Sequence, residues 1–511
     1  MPLGYVIGVR SPTLHGVGSG SRFPPMRGSD AEIRSRGLHD PQQARPDPGT
    51  VTRTRLQRGR PDPGARARLR AALARLALAA LAVVAVPAQA LLPIQDWKTS
   101  SGARVLFVEN HDLPMLDVSV DFPAGSGHDT KAKAGRAAFT QQLLKLGAGG
   151  LSENEISQRI ADVGANLGGR FDADRAGVYL RTLSSANERD RALEVMTKVL
   201  LQPEFPEPVL SRERARAIAG LKEADTKPDT LANRAFSRAV YAEHPYGLRA
   251  SGEVETLSTL TRADLVDFYR RHYVAEHAIV AIMGDLSRVE AEKIAEQLTA
   301  GLPRAGGEPI GIPQVHELDR ASATRIAHPA SQAHILIGAP GIRRGDPDYF
   351  ALFVGNYILG GGGFESRLTN EVRQKRGLAY SVYSYFAPLL REGPFQIGLQ
   401  TRGDQAQGAV EVVMQTLREF VAQGPTEQEL EDAKKNLIGG FPLRIDSNRK
   451  IHEYLATIGF YNLPLSYLED FVPNIRKVGL ADIKGAFTRH VDPAKLATVV
   501  VGGGVAAAAD R

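Results

Sequence analysis

Two stretches of this chain, LTRADLVDFYRRHYVAEHAIVAIMGD at 260–285 and VGLADIKGAFTRHVDPAKLATVVVGG at 478–503, carry one pattern twice. Ala263-Asp264-Leu265 falls on Ala481-Asp482-Ile483, Arg271-His272 on Arg489-His490 and Gly284 on Gly502, all at an offset of 218. Upstream, ALEVMTKVL (192–200) matches AVEVVMQTL (409–417) at an offset of 217. Units of this size are far longer than the repeats of roughly 20–50 residues that build solenoids and propellers. The chain is therefore constrained to a tandem pair of homologous domains.

Each copy mixes alternating strands, such as ARVLFVE (103–109) and LDVSVDF (116–122), with longer helical runs and one closing strand, IVAIMGD or ATVVVGG. Strands and long helices without strict alternation predict an α+β fold. The first repeat is assigned to 91–303 and the second to 320–505, with a short tail at 506–511. Between them RAGGEPIGIPQVHELD (304–319) clusters Gly and Pro as a linker does. The expected shape is a clam-shell of two tandem domains around a cleft, the usual place for a ligand.

Charge is unevenly spread. The 511 residues carry a net +6, yet residues 1–90 hold 14 Lys and Arg against 5 Asp and Glu, which leaves 49 basic and 52 acidic residues beyond them. A basic balance confined to one end does not argue for nucleic-acid binding by the folded part. Residues 1–65, rich in Arg, Pro, Gly and Ser, read as a disordered extension, and a start codon placed too early would explain it. Residues 66–90 read as a secretory signal: Arg66, Arg68, Arg70 and Arg75, the apolar run LALAALAVVAV, then Ala88-Gln89-Ala90 with cleavage after Ala90. The apolar run falls short of the roughly 20 residues that span a bilayer, so no membrane anchor is expected after cleavage. With no Cys at all, thiol catalysis, Cys-ligated zinc, disulfides and an N-terminal lipid anchor are excluded. A soluble periplasmic or secreted bacterial protein is the expectation.

Two local features carry chemistry. GRAAFTQQLLKLGAGGLSENEI (135–156) opens as a helix whose small and apolar residues surround two adjacent carboxamides, Gln141 and Gln142. GGGGFESRLTNEVRQKRGLAYSVYSYF (360–386) opens with Gly360, Gly361, Gly362 and Gly363, continues as a short helix stopped by Gly377, and passes at once into a strand. The glycines are either a flexible connector or a loop that lets another backbone approach closely. The 12 histidines form no HExxH, HxxEH or HxxxH, so their spacing names no metal site.

The repeat, HPYG at 244–247, the helix TRADLVDFYRRHY leading to a strand that ends in MGD, and the 360–386 segment together resemble the pitrilysin/insulinase family of zinc peptidases. The resemblance spans about residues 95–505. It implies a His-x-x-Glu-His helix in the first repeat, whose two His, one turn apart, hold zinc while the Glu acts as base. A stretch of that form falls on Gly135 to Gln142, which puts Ala138, Gln141 and Gln142 in the three motif positions. The family's further Glu ligand falls near Gly220. Ala138 has no donor atom, Gln142 offers a neutral amide, and Gln141 has no proton to exchange. The glutamines read as vestiges of a metal site or as ordinary hydrogen-bonded polar residues, and neither reading gives catalysis.

The second repeat keeps what the first has lost. The resemblance implies an Arg and a Tyr that reach the substrate, and they match Arg373 and Tyr380 with Gly377-Leu378-Ala379 between them. Arg373 would donate to a substrate carbonyl, and Tyr380 would stabilise charge developing on the scissile one. In the resembled family, some bacterial and mitochondrial members divide these duties between two subunits, and this sequence looks like the Arg/Tyr-bearing kind. The expected function is a non-catalytic, peptide-binding subunit of a heterodimeric zinc peptidase. It would have no metal of its own, with zinc in a homologous partner that carries His-x-x-Glu-His. A structural or peptide-binding homodimer is the rival reading, and an autonomous zinc peptidase is a third that the motif loss disfavours.

Overall fold

The computed structural model describes residues 93–307 and 310–503. The proposed extension, the signal segment, and the tail lie outside the described residues. The first half builds β1 (Gln95–Lys98), β2 (Arg104–Glu109), β3 (Met115–Phe122), the two-residue pair β4 (Gly147–Ala148) and β5 (Leu151–Ser152), β6 (Asn166–Phe171), β7 (Ala176–Leu183) and β8 (Ile279–Gly284). The second builds β9 (Ser322–Ile326), β10 (Gln332–Pro340), β11 (Val382–Phe386), β12 (Pro394–Arg402) and β13 (Ala497–Val501).

The two large sheets have one topology. The first is ordered β1-β2-β8-β3-β7-β6 and the second, read from its other edge, β9-β13-β10-β12-β11. Arg104 opens β2 and Ser322 opens β9, Ile279 opens β8 and Ala497 opens β13, Ala176 opens β7 and Pro394 opens β12, each pair 218 apart. Only β1 lacks a counterpart among the described residues. Each half is thus an α+β unit, with β6 and β11 as equivalent sheet edges.

The repeated residues prove to be repeated structural devices. Asp264 takes the backbone N–H of Thr261 at 2.9 Å, and Asp482 takes that of Gly479 at 2.8 Å, so each closes the first turn of its helix. Gly284 and Gly502 end the central strands at φ +141° and +116°, in backbone that side chains rarely adopt. A Cβ there would lie 2.1 Å from the Met115 carbonyl oxygen and 2.4 Å from that of Gln332. Glycine is needed at both places.

The halves interlock by exchanging helices. Pro228–Tyr241, a first-half helix, packs on β10 and β13 of the second sheet, and Asn448–Phe460, its counterpart, packs on β8, β3 and β2 of the first. Ala232, Phe236 and Val240 join Leu336, Val499 and Val501 in one buried cluster, and Leu455 and Ala456 join Val108, Ala281 and Met283 in another. Gly459 allows the second contact to be this close, because a Cβ there would lie 2.6 Å from Ile279 Cγ2 and 2.7 Å from Leu106 Cδ1. His452 Nε2 reaches the Ala281 carbonyl oxygen at 3.2 Å.

A buried carboxylate ties the same joint. Asp174, fully buried in the turn between β6 and β7, accepts hydrogen bonds from Tyr246 of HPYG, from Tyr461 at 2.8 Å and from the Leu390 N–H at 2.8 Å. Burial, with Asp172 beside it, pushes its carboxyl up to about 6. The linker is strapped down as well: Arg391 Nε donates to the Ile312 carbonyl at 2.8 Å, and His244 Nε2 contacts that of Pro313 at 3.0 Å.

Three expected spans shift. The stretch that opens as a helix at Arg136 leaves it after Leu143, and Gly147 at φ +149° turns the chain into the β4–β5 pair. The helix before Gly377 is a wide π turn over Thr369–Gln374. The strand expected from Ala379 begins only at Val382.

Asp174→Asn removes one acceptor oxygen from three buried donors, and it should destabilise the chain by about 1–3 kcal/mol in a chemical-denaturation measurement. A carboxyl raised from 3.8 to about 6 on folding stabilises fully below pH 4, and that contribution is lost as pH rises through 6. The stability gap between wild type and Asp174→Asn should therefore widen as pH falls from about 7 to about 4. A gap that stays constant or narrows would contradict the buried, raised carboxyl.

Candidate functional site

The helix Arg136–Leu143 is held at its N-terminus from outside. Asp129 is buried and accepts the N–H groups of Gly135 at 2.9 Å and Ala137 at 3.0 Å, placing a carboxylate where the helix dipole favours it. Burial nevertheless pushes its carboxyl up to about 7. Gly135 takes φ +92°, and a Cβ there would lie 2.7 Å from Gly252 Cα. Ala137, Phe139, Thr140 and Leu143 face the core, whereas Ala138, Gln141 and Gln142 share the opposite, half-buried face.

Both glutamines are engaged. Gln142 Nε2 donates to Glu213 Oε2 at 3.2 Å, reaching the helix Glu207–Ala224. Glu213 is buried and also meets Arg212 at 2.8 Å and Arg216 at 3.4 Å. Gln141 lies over β6: a Cβ on Gly169 would sit 1.6 Å from its Nε2, which approaches the Gly177 carbonyl at 3.4 Å. Gly220 lies seven residues beyond Glu213, on the same face of its helix and half-buried.

This constellation does not fit zinc. The inward groups are a methyl, two neutral amides and one glycine, and the single buried carboxylate is already bound by two guanidiniums and an amide. No imidazole or thiolate is supplied, and these are the donors that zinc prefers besides carboxylate. Among the described residues, one group could offer three metal-ligand atoms, namely Asp346, Asp348 and His490 in the second half. Arg489 grips both Asp348 oxygens at 2.7 and 2.8 Å, and His490 Nε2 adds a contact at 2.9 Å. That makes it an ion-paired helix start, which sequence spacing gave no reason to single out.

The second half presents its residues differently. Gly360 is buried against Ser384, with a Cβ there only 2.4 Å from its Oγ, so a close approach does require this glycine. Gly360 and Gly361 belong to a π turn over Tyr357–Gly361, and only Gly363 of the four takes a positive φ, +65°. A second π turn follows over Thr369–Gln374, where Lys375 N–H reaches back to the Asn370 carbonyl at 2.9 Å. Such wide turns often mark functional sites, and no residue pattern in the sequence announced them. Gly377 at φ +61° closes the helix: its N–H donates to the Arg373 carbonyl and that of Leu378 to Val372, both at 2.9 Å.

That stop turns the chain sharply, and Tyr380 stands out from the surface with 83% of its area exposed. Arg373 lies with its guanidinium 5.0 Å from the Tyr380 ring centroid and 4.9 Å from that of Phe364. Beside Tyr380 is a notch of about 350 Å³ lined by Ser381, Gln332, Gln400, Thr401, Arg402 and Gln405 among others. The fold thus brings Arg373 and Tyr380 together, and brings Ala138, Gln141 and Gln142 together with Glu213. Among the described residues no hydrogen bond or ion pair joins the two sets.

Two family profiles cover the two halves of the chain. Residues 104–253 match the family profile "Insulinase (Peptidase family M16)", and residues 259–437 match "Peptidase M16 inactive domain". A Helicobacter pylori protein called "Non-peptidase homolog YmxG" is 28% identical over 404 residues, covering 78% of this chain and 91% of that protein. "Uncharacterized zinc protease YmxG" of Bacillus subtilis is 26% identical over 358 residues, 69% of this chain and 85% of its own. A crystal structure of a peptidase M16 inactive domain from Pseudomonas fluorescens superposes with a TM-score of 0.77 at 39% identity, covering 81% of this chain and 99% of that one. With two family profiles covering the two halves and a solved relative 39% identical over most of its length, the chain belongs to the insulinase (M16) peptidase family.

Proposed function

We propose that this chain is the substrate-gripping, non-catalytic subunit of a two-chain zinc peptidase. In this reading a homologous partner carries zinc and its base on a His-x-x-Glu-His helix. Arg373 and Tyr380 of this chain complete the partner's site for cutting peptides or small unfolded proteins. The observation that carries the reading is the contrast between the two halves. The metal positions are filled by Ala138, Gln141 and Gln142, whereas Tyr380 is held 83% exposed beside a cationic Arg373.

The chemistry supports the division. An exposed phenol donates its O–H to a carbonyl oxygen as that oxygen becomes negative, and a guanidinium donates a fork of N–H groups to a neighbouring carbonyl. Both act on peptide backbone, so recognition would rest on the main chain more than on side-chain identity. The sheet edges β6 and β11 suit an extended substrate for the same reason. The N-terminal signal reading supports a location outside the cytoplasm, in a bacterial periplasm or secreted.

The test is zinc content and peptidase activity of the purified chain, alone and mixed with a homologue from the same cell that carries His-x-x-Glu-His. The chain alone should hold no stoichiometric zinc and cleave nothing, and activity should appear on mixing. Zinc at about one per chain with turnover alone would overturn the placement of the lost motif. Silence after mixing, with a stable complex formed, would favour a purely structural or binding role. Tyr380→Phe in the active mixture should lower kcat by roughly 10²–10³-fold with little change in complex formation, as loss of one oxyanion donor does.

A further inference from the structure

Arg373 differs from the other cations on its helical segment. Arg367 is paired with Glu429 at 2.7 Å, Lys375 and Arg376 with Glu371 at 2.6 Å. Arg373 has no carboxylate partner among the described residues and lies instead against two aromatic rings, at 4.9 and 5.0 Å. A guanidinium lying against ring faces is attracted through its plane while its N–H edge remains available to acceptors.

One of those rings comes from the glycine stretch. Phe364 is 67% exposed, an odd place for a phenyl ring that serves only the fold. It is nonetheless held in place. Gly363 turns the chain at φ +65°, Ser366 Oγ donates to the Gly363 carbonyl at 2.9 Å, and Gln374 Nε2 donates to that of Phe364 at 2.9 Å. Gln374 is the neighbour of Arg373, so the loop tip is fastened to the same turn that carries the guanidinium.

We infer that Phe364 is a positioning residue: the glycine turn exists to set its ring against Arg373. Phe364, Arg373 and Tyr380 then form one clamp that offers the guanidinium edge to a backbone carbonyl or carboxylate of an extended chain. The inference rests on the reading of Arg373 and Tyr380 as the substrate grip and adds to it the part played by the glycine-rich stretch. Phe364 acts through Arg373, and its effect must vanish when Arg373 is absent.

A double-mutant cycle on the full purified chain tests this, with fluorescein-labelled β-casein as an unfolded probe and anisotropy as the readout. Phe364→Ala should weaken binding roughly threefold to fivefold, the size of an exposed cation–π contact, and Phe364→Tyr should restore it. In an Arg373→Ala background, Phe364→Ala should change affinity by less than about twofold. Equal losses in both backgrounds would mean that Phe364 touches the probe directly, and would overturn the positioning role alone. No loss from Phe364→Ala, while Arg373→Ala and Tyr380→Phe still weaken binding, would overturn it too. Casein that does not bind, or binds the same after Arg373→Ala and Tyr380→Phe, would overturn the grip reading and this inference with it. Phe364 is exposed, and an unchanged melting temperature in each variant excludes misfolding as the cause.

Discussion

Everything else in this structure depends on the exchange of two helices. Each large sheet has one face covered by a helix from the other repeat, Pro228–Tyr241 in one direction and Asn448–Phe460 in the other. Neither repeat can bury that face alone, because the covering helix is tethered by chain to the opposite sheet. Burial of apolar surface on this scale dominates folding free energy, so the two halves stand or fall together. Asp174, with two tyrosine hydroxyls and a backbone N–H from both halves on one carboxyl, then fixes how they meet.

A joint fixed in this way holds the helix Arg136–Leu143 independently of what fills its half-buried face. The helix Arg136–Leu143 is anchored by the Asp129 carboxylate at its start and by core contacts along one face, and neither involves the metal positions. A buried Glu213 with no partner would be costly, since a lone buried charge costs several kcal/mol. Arg212, Arg216 and Gln142 remove that cost. Gln142 thus does structural work there. The site is a satisfied polar network, and that leaves nothing there to drive metal uptake.

Much of this was legible in the residues, and the illegible part has physical causes. The offset of 218 could be read because the repeated residues do things that few side chains can do: Asp264 and Asp482 close helix starts, and Gly284 and Gly502 end strands in backbone suited to glycine. Strand placement followed from apolar patterning, a continuous run in Arg104–Glu109 and alternation in Met115–Phe122. The helix exchange was hidden, because an amphipathic helix shows which face is apolar and not which sheet will cover it. Asp174 was hidden too, since an acidic turn such as FDADRAG reads as solvated until the fold folds over it. At the site, Arg373 and Tyr380 were named by the family resemblance around Gly377, but Phe364, two π turns and Glu213 as the partner of Gln142 were not. Each of those is a contact between elements, and spacing along the chain does not encode it.

The contrast in exposure between the halves bears on why one of them was kept. Tyr246 is buried and Tyr461 half-buried, and each bonds its hydroxyl to Asp174. Tyr380 has neither property, and it sits on a turn that Gly377 and the Schellman-type hydrogen bonds make well defined. Holding an aromatic ring out in water, beside a guanidinium with no carboxylate partner among the described residues, gains the isolated chain little, because exposed apolar area contributes nothing to folding. Such an arrangement gains its value from whatever approaches from outside. In the first half, by contrast, Gln142 and Glu213 close on each other. Under the proposed subunit role, the chain would lend that outer grip to another chain's chemistry.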